Sequence, residues 1–461
     1  MQFVGKAIVT AIGIVILGLL TRYLGVTGYG EYTVVFAFLG FFAVVADFGL
    51  FTVVVRDIAK DPERKEQIFG NAFAVRIVLA LGVLILAPLV GFLIPRYGFD
   101  IKAGIGIAAF ASFFILLNQT LAAVFQAHLR MDRVVIVDTV GKALVLVLVA
   151  YCIRRHFGFL AIVAVNSVAN LAAFALSLVL ARPFFRVRVI FDWEYWRRLV
   201  PEILPLGVIL MLGMVYLRID HIILSLVWGP WQVGIYGVPY KILEILSSLP
   251  AIFVGSVLPI ISKYLVDRDE RLLGSIQRAF DFLILLAVPL MFGVFILAPG
   301  IIGLFAGAEF ALSVPLLRIL VFASGLIFLG TLAGNVIVAA NLQRRLVKIY
   351  LISVIGNVGL NLIFIPIYSF YAAAVITVLT EAWACAAALV VVRKHLGWVP
   401  KAGSLGRAVL ASLVMSAVVL VLGSTNLAVQ VASGVVIYGV ALFLMGGINR
   451  DMIDAAIGRT R

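Results

Sequence analysis

The chain has 461 residues, of which 64% are hydrophobic and only 13% are charged, and its mean hydropathy is +1.19. Soluble domains carry about 25% charged residues, so apolar surface on this scale cannot be buried in soluble cores. The formal net charge of +14 could suggest nucleic-acid binding, but the basic residues follow the connections between apolar segments instead of forming one patch. The composition therefore predicts an integral membrane protein with no nucleic-acid partner.

Fourteen apolar segments of membrane-spanning length follow one another along the chain. Each helix needs about 20 apolar residues to cross a bilayer core, and no segment shows the ten-residue polar and apolar alternation of a lipid-embedded barrel. The first segment is expected to be a span and not a signal peptide, because no small-residue cleavage site follows it. The spans are predicted near residues 4–24, 30–55, 69–94, 103–127, 134–153, 158–181, 202–228, 234–262, 276–298, 312–340, 346–366, 370–392, 406–423 and 427–446.

These spans divide into two groups of six and a final pair. Residues 1–182 are predicted to form an N-terminal lobe, residues 201–392 a second lobe, and residues 393–461 two further spans and a cytoplasmic tail. Residues 183–200 are predicted to form an interfacial linker at the cytoplasmic surface. Its arginines face the cytoplasm, and its tryptophan and tyrosine side chains lie at headgroup level.

The distribution of Lys and Arg predicts the orientation, because basic loops stay in the cytoplasm. On the side of the N-terminus lie 26 of the 36 basic residues, against 5 on the opposite side and 5 inside predicted spans. Both termini are therefore expected in the cytoplasm, with the protein in the cytoplasmic membrane.

A short turn is repeated between corresponding spans of the two predicted lobes. The pattern G-x4-G-x-Y occurs at residues 25–32, between spans one and two, and again at 229–236, between spans seven and eight. The two copies lie 204 residues apart and run in the same orientation. Internal duplication of this kind is common in transporters that rock about a site near the middle of the bilayer.

Basic residues inside the spans are the candidates for an anionic substrate, since a charge in the bilayer is costly and usually faces a wet cavity. Arg218 could bind a phosphate through bidentate hydrogen bonds, or could instead form a buried ion pair. Arg76 could face the cavity or reach the cytoplasmic headgroups. Lys142 and Lys241 could meet the substrate or pair locally, at i,i+4 with Asp138 and at i,i+3 with Glu244. A fifth residue, Arg318, is expected to extend to the outer interface.

Acidic residues inside the spans are the candidates for ion coupling, because a buried carboxylate can carry a proton and grouped oxygens can bind sodium. They are Asp47, Asp220, Glu244 and Glu381. Asp47 could instead support helix packing beside Phe48 and Gly49. The neighbouring His221 is interpreted as a packing histidine and not as a proton relay.

Motifs for catalysis are absent from the sequence. There is no phosphate-binding G-x-x-x-x-G-K-[ST], no H-E-x-x-H and no Cys and His cluster with zinc spacing. The two cysteines, Cys152 and Cys385, lie in or beside spans, so no disulfide framework is expected. The sequence therefore predicts a transporter with no cofactor and no metal site, although H⁺ or Na⁺ coupling stays open.

Several stretches resemble the polysaccharide transporter family, the oligosaccharide-lipid and O-antigen flippases of the multidrug/oligosaccharidyl-lipid/polysaccharide superfamily. The similarity runs along essentially the whole chain and rests on turns and packing motifs. The stretches are Arg22–Tyr32, Ala46–Leu50, Val55–Asp57, Ile219–Leu224, Val233–Tyr236, Asn361–Tyr368 and Ala372–Glu381.

This resemblance implies two six-helix lobes in a V-shaped arrangement around a cavity that opens alternately to each side. It also implies a polyprenyl-diphosphate oligosaccharide as the substrate, used for cell-surface glycan assembly, with membrane lipids and glycan-assembly enzymes as partners. Two alternatives stay open. A cation-coupled multidrug exporter of the same superfamily should carry acids and aromatic residues in its cavity. A membrane oligosaccharide ligase or polymerase should carry a long polar outer loop, and the outer connections here are short.

Overall fold

A computed structural model describes residues 2–184, 189–401, 403–423 and 426–446. Within these ranges the regular secondary structure is helical, with two short 3₁₀ turns at Pro62–Arg64 and Ala308–Phe310. This confirms the predicted all-α class. The tail beyond residue 446 and residues 185–188 of the predicted linker lie outside the described residues.

Thirteen α-helices are formed by the described residues, and they give twelve helical stretches, with α1 and α2 counted together, that are long and apolar enough to cross a membrane. The chain is therefore a multi-pass membrane protein. The helices are α1 Gln2–Asp47, α2 Leu50–Lys60, α3 Lys65–Leu93, α4 Phe99–Ala127, α5 Met131–Arg154, α6 Phe159–Ala181, α7 Trp193–Val227, α8 Pro230–Asp267, α9 Arg271–Phe305, α10 Ser313–Ala339, α11 Gln343–Leu396, α12 Gly403–Val421 and α13 Leu427–Leu444.

Two of these helices are too long for one crossing and contain a sharp break. A straight helix of the 54 residues in α11 would extend about 80 Å, against a hydrocarbon core of about 30 Å. Its dihedral angles leave the helical region at Ser369 (φ 53°, ψ −137°), and those of α1 do so at Gly25 (φ 66°, ψ −174°). Both breaks fall where the sequence predicts a turn between two spans. If each half crosses separately, the count becomes the predicted fourteen, which stays a prediction.

The second predicted span, 30–55, differs from the structure because its helix is interrupted. Helix α1 ends at Asp47 and α2 begins at Leu50, with positive φ angles of 41° at Phe48 and 80° at Gly49. Helix α7 lies against this interruption. A Cβ atom on Gly49 would lie 2.6 Å from Cβ of Leu206, so only glycine combines this backbone conformation with so close an approach.

The second half of the predicted linker is the start of α7. Asp192 caps this helix, its carboxylate accepting hydrogen bonds from the backbone N–H groups of Glu194 and Tyr195 at 3.0 and 3.2 Å. The backbone before the cap is held to α3, because the N–H of Asp192 donates to the side-chain oxygen of the buried Asn71 at 2.8 Å. The basic segment is therefore fixed to the helix bundle at this end.

The chain separates into two compact units. The first contains Met1–Gly237, Phe305–Glu309 and Asn361–Ser369, and the second contains the remainder. A core of the first unit is built from α2, α3, α4 and the start of α7. The corresponding core of the second unit is built from α8 to α12. The first unit extends past the predicted boundary at residue 182, and the predicted lobe boundaries and their arrangement stay predictions.

The two copies of the repeated turn pack against each other inside the first unit. A Cβ atom on Gly30 would collide with the backbone of Pro230, and one on Gly234 would collide with the carbonyl oxygen of Val26. These four residues form two equivalent pairs, since 26 and 30 correspond to 230 and 234 in the repeat. The contact is therefore isologous, as expected when two related elements meet about a local twofold axis.

We predict that Gly234→Ala destabilises the protein by about 1–3 kcal/mol, because the added methyl group forces two backbones apart. Alanine has a higher helix propensity than glycine, so a loss of stability would have to come from disruption of the contact between the two backbones. Gly213→Ala is the matched control, since a Cβ atom there meets nothing within 4 Å. The measurement is the apparent melting temperature of both purified variants in detergent. Equal melting temperatures for the two variants would contradict the importance of the contact.

Candidate functional site

A buried ion pair supports the interruption between α1 and α2. The guanidinium of Arg76 on α3 donates to Oδ1 of Asp47 at 2.6 Å, to the carbonyl oxygen of Ala46 at 3.0 Å and to Oγ1 of Thr120 at 3.1 Å. The Arg76 side chain is 0% exposed and that of Asp47 is 19% exposed. Three of the guanidinium's donors are thus satisfied by a carboxylate, a hydroxyl and a carbonyl at a helix C-terminus, where positive charge is favoured.

This geometry changes the interpretation of both residues. The alternative in which Arg76 extends to the headgroups is wrong for this structure, because its guanidinium is fully buried. Nor does Arg76 line an open cavity here. The sequence placed Arg76 and Asp47 in different roles, whereas the fold joins them in one pair. A buried arginine without its carboxylate would be strongly destabilising, so the pair stabilises the break between the helices.

A second buried polar cluster joins the end of α7 to the start of α8. The carboxylate of Asp220 lies 2.7 Å from Nδ1 of His221 through Oδ1 and accepts a hydrogen bond from the hydroxyl of Tyr236 at 2.6 Å through Oδ2. All three side chains are buried. Both carboxylate oxygens are therefore occupied by polar groups of the chain itself.

Only the second copy of the repeat carries this cluster. Tyr236 is the tyrosine of the second turn, and Tyr32 is its counterpart in the first. The positions that correspond to Asp220 and His221 in the first copy are Ile16 and Leu17, and Tyr32 instead accepts a hydrogen bond from Asn166 at 3.2 Å. The ionisable residues Asp220 and His221 therefore occur in one copy of the repeat, and apolar residues take their places in the other.

The remaining basic candidates lie on separate helices. Arg218 is half-buried on α7. The neighbouring Asp220 bonds to His221 and Tyr236, as its angular separation from Arg218 on the helix predicts. Lys142 is exposed on α5, close enough to Asp138 to interact electrostatically. Lys241 donates to Glu244 at 2.8 Å on α8, which confirms the local pair.

The last acidic candidate, Glu381, lies half-buried in the second part of α11. It is close enough to Tyr350 and to the buried Cys385 to interact electrostatically with both. The described part of the chain contains no group of three His, Cys, Asp or Glu side chains that could hold a metal ion. These acids therefore form no recognisable metal site in the described part of the chain.

One connection between helices is tied to the end of α7 within the first unit. Arg96, in the connection between α3 and α4, donates to the carbonyl oxygen of Val227 at 3.0 Å, and the hydroxyls of Tyr97 and Ser225 lie 3.2 Å apart. These bonds lie at the same end of α7 as the contact between the repeated turns. The end of α7 is therefore held to its neighbours both by backbone packing and by hydrogen bonds.

Sequence reasoning missed His221 and Tyr236 as polar partners of Asp220. The adjacent Asp and His are visible in the sequence, but neighbouring positions on a helix point about 100° apart and do not by themselves predict contact. The sequence pattern identifies Tyr236 only as a residue of the repeated turn. The signal that could have identified it is the place of Asp220 just before a turn whose tyrosine is repeated.

Comparison with known proteins places these features in a family. A family profile described as "Polysaccharide biosynthesis protein" matches residues 2–265, more than half of the chain. A curated relative, the "Probable low-salt glycan biosynthesis flippase Agl15" of Haloferax volcanii, is 23% identical over 373 residues, which cover 78% of this chain and 75% of that protein.

Solved membrane transporters have the same fold. The lipid II flippase MurJ in an inward closed conformation superposes with a TM-score of 0.80 at 14% identity, covering 98% of this chain and 99% of that one. An inward-facing multidrug resistance transporter of the MATE family superposes with a TM-score of 0.69 at 15% identity, covering 84% and 94%. The relatives are thus named as flippases and transporters, as the absence of catalytic motifs predicts. The chain belongs to the polysaccharide biosynthesis protein family, and its fold is that of MurJ and of the MATE transporters.

Proposed function

We propose that this protein is a flippase that moves a polyprenyl-diphosphate oligosaccharide across the cytoplasmic membrane for glycan assembly. The family match, the glycan flippase of Haloferax volcanii and the MurJ-like fold support a lipid-linked saccharide as the substrate. The lipid tail stays in the bilayer while the glycan and diphosphate cross. Membrane lipids and glycan-assembly enzymes are the expected partners.

Three acidic residues inside the predicted spans already have partners within the chain, and this observation favours an anionic substrate. Asp47 is bound by Arg76, Asp220 by His221 and Tyr236, and Glu244 by Lys241. A cationic drug would have to displace these partners before it could bind the carboxylates. This argues against the multidrug exporter, which the MATE-like fold would otherwise allow.

Arg218 is the main diphosphate-binding residue in this proposal, supported by Lys142 and Lys241. Arginine can form two parallel hydrogen bonds to a phosphate, and the low dielectric of the membrane strengthens the attraction. Arg76 is assigned a structural role instead, because its donors are already used by Asp47, Ala46 and Thr120.

Transport by alternating access requires the contact between the two repeated turns to open. With both termini in the cytoplasm, the turns at 25–32 and 229–236 lie on the outer side. Their isologous packing closes that side, since the backbone at Gly30 meets Pro230 and that at Gly234 meets Val26. Release of the substrate outward then requires α1 to separate from the ends of α7 and α8.

Proton coupling at Asp220 fits the geometry better than sodium coupling. Both carboxylate oxygens already have polar partners, His221 and Tyr236, and sodium would need several more oxygen ligands around it. A proton needs no new ligands. Because Tyr236 lies two residues after Gly234, a change in the protonation of this cluster would act next to the turn contact.

We predict that Arg218→Ala abolishes flipping while the protein still folds and inserts. Purified protein in liposomes is given a fluorescent polyprenyl-diphosphate oligosaccharide, and the exchange of the lipid between leaflets is followed. Arg64→Ala is the matched control, because Arg64 lies in an exposed connection and its loss removes the same charge. Normal exchange by well-folded Arg218→Ala protein would remove Arg218 from the site. Efflux of cationic dyes without lipid exchange would instead favour the multidrug exporter.

We predict that Asp220→Asn removes the response of the exchange rate to an imposed proton gradient, because the amide cannot take up the proton. Tyr236→Phe should weaken the response, since it removes one hydrogen bond and keeps the carboxylate. Asp267→Asn, at an exposed helix end, should leave it unchanged. The rates are measured in the same liposomes with proton and with sodium gradients. A response of Asp220→Asn equal to that of the unmodified protein would exclude Asp220 as the coupling site.

We predict that Arg76→Met destabilises the protein by about 3–5 kcal/mol, because it leaves the Asp47 carboxylate in a largely apolar site. The double variant Arg76→Met and Asp47→Asn should recover part of this loss, since the uncompensated charge is gone. Apparent melting temperatures of both variants give the test. A stable Arg76→Met protein that no longer transports would instead place Arg76 in the substrate site.

A further inference from the structure

A groove on the surface of the second unit contains a single arginine among apolar side chains. Its volume is about 380 Å³, within the range of small-ligand sites. One wall comes from Phe295 on α9, another from α10 and a third from the second part of α11. The lining residues are Phe295, Pro315, Arg318, Ile319, Phe322, Val375, Val378 and Leu379.

The guanidinium of Arg318 is held in place at this groove. Its Nε donates to the carbonyl oxygen of Phe295 at 3.1 Å, and its central carbon lies 5.3 Å from the centre of the Phe295 ring. The two terminal amino groups carry four further N–H donors. None of these four has a hydrogen-bond partner among the described residues. The arginine is therefore oriented by the protein but left with donors for a ligand.

The position of the groove fits a membrane lipid. Phe295, Phe322 and Leu379 are exposed in the folded chain, and apolar side chains that a membrane protein leaves exposed are suited to acyl chains. Arg318 lies five residues after Ser313, the first residue of α10. In the predicted orientation this is the outer end of the helix, close to the headgroup level where arginine side chains reach phosphate.

From this geometry we propose that the groove binds one anionic phospholipid of the outer leaflet, with its phosphate on Arg318 and an acyl chain along α10 and α11. The surface of the groove is apolar and matches the acyl chain, while Arg318 lines it with its aliphatic part and supplies the charge for the phosphate through its guanidinium. The volume of the groove accommodates part of an acyl chain but is too small for an oligosaccharide. This lipid is a resident ligand of the second unit and is separate from the transported substrate.

Native mass spectrometry of the detergent-purified full chain tests the proposal with dioleoyl phosphatidylglycerol as the probe and dioleoyl phosphatidylcholine, a zwitterionic lipid of zero net charge, as the comparison. One phosphatidylglycerol should remain bound to the unmodified protein. Arg318→Gln should weaken this binding about tenfold, as expected for loss of hydrogen bonds to a charged group. Arg96→Gln is the matched control, because Arg96 also donates to one carbonyl on the predicted outer side but lies outside the groove.

A second variant tests the acyl-chain half of the site. Val378→Trp fills the groove while leaving the guanidinium in place, so it should also release the phosphatidylglycerol, and Arg318→Lys should retain part of the binding. Unchanged melting temperatures exclude misfolding as the cause. Binding that survives both Arg318→Gln and Val378→Trp overturns the proposal. Displacement by inorganic phosphate alone, or preference for a polyprenyl diphosphate, also overturns it by assigning the site to a free anion or to the substrate.

Discussion

Lipid offers no hydrogen-bond partners, so every polar group inside the membrane must be satisfied by the chain itself. The helices meet this constraint along their lengths, and the places where helices break need separate solutions. At Phe48 and Gly49 the solution is Arg76, which binds both the carbonyl of Ala46 and the carboxylate of Asp47. The pair of Arg76 and Asp47 is therefore part of the folding problem before it can be part of transport.

The two copies of the repeat share the contact between their turns, and they differ in the ionisable residues beside it. The two repeated turns meet through equivalent glycine contacts, which makes the closure of this end a property that both copies share. The cluster of Asp220, His221 and Tyr236 occurs in the second copy alone. In the proposed mechanism, a change in the protonation of Asp220 acts beside this twofold contact.

Two arginines inside the predicted spans are proposed to have separate recognition tasks on one chain. Arg218 on α7 is proposed to bind the diphosphate of a transported lipid, whereas Arg318 on α10 is oriented by Phe295 at an apolar groove. Both use the planar guanidinium, which matches phosphate geometry better than an ammonium group does. The proposed separation of the tasks follows from the surroundings of Arg318, which lies beside a groove that fits an acyl chain.

The sequence by itself determined the membrane class, the helical architecture and the duplicated turns, because hydropathy and helix breaks are local properties. It also predicted the pair of Lys241 and Glu244, which lie one helical turn apart. Only the tertiary structure decided that Arg76 meets Asp47, that Tyr236 meets Asp220 and that Gly30 meets Pro230. These partners lie between 16 and 200 residues apart in the sequence. Contacts at such separations depend on how helices pack, which the pattern along a single helix does not contain.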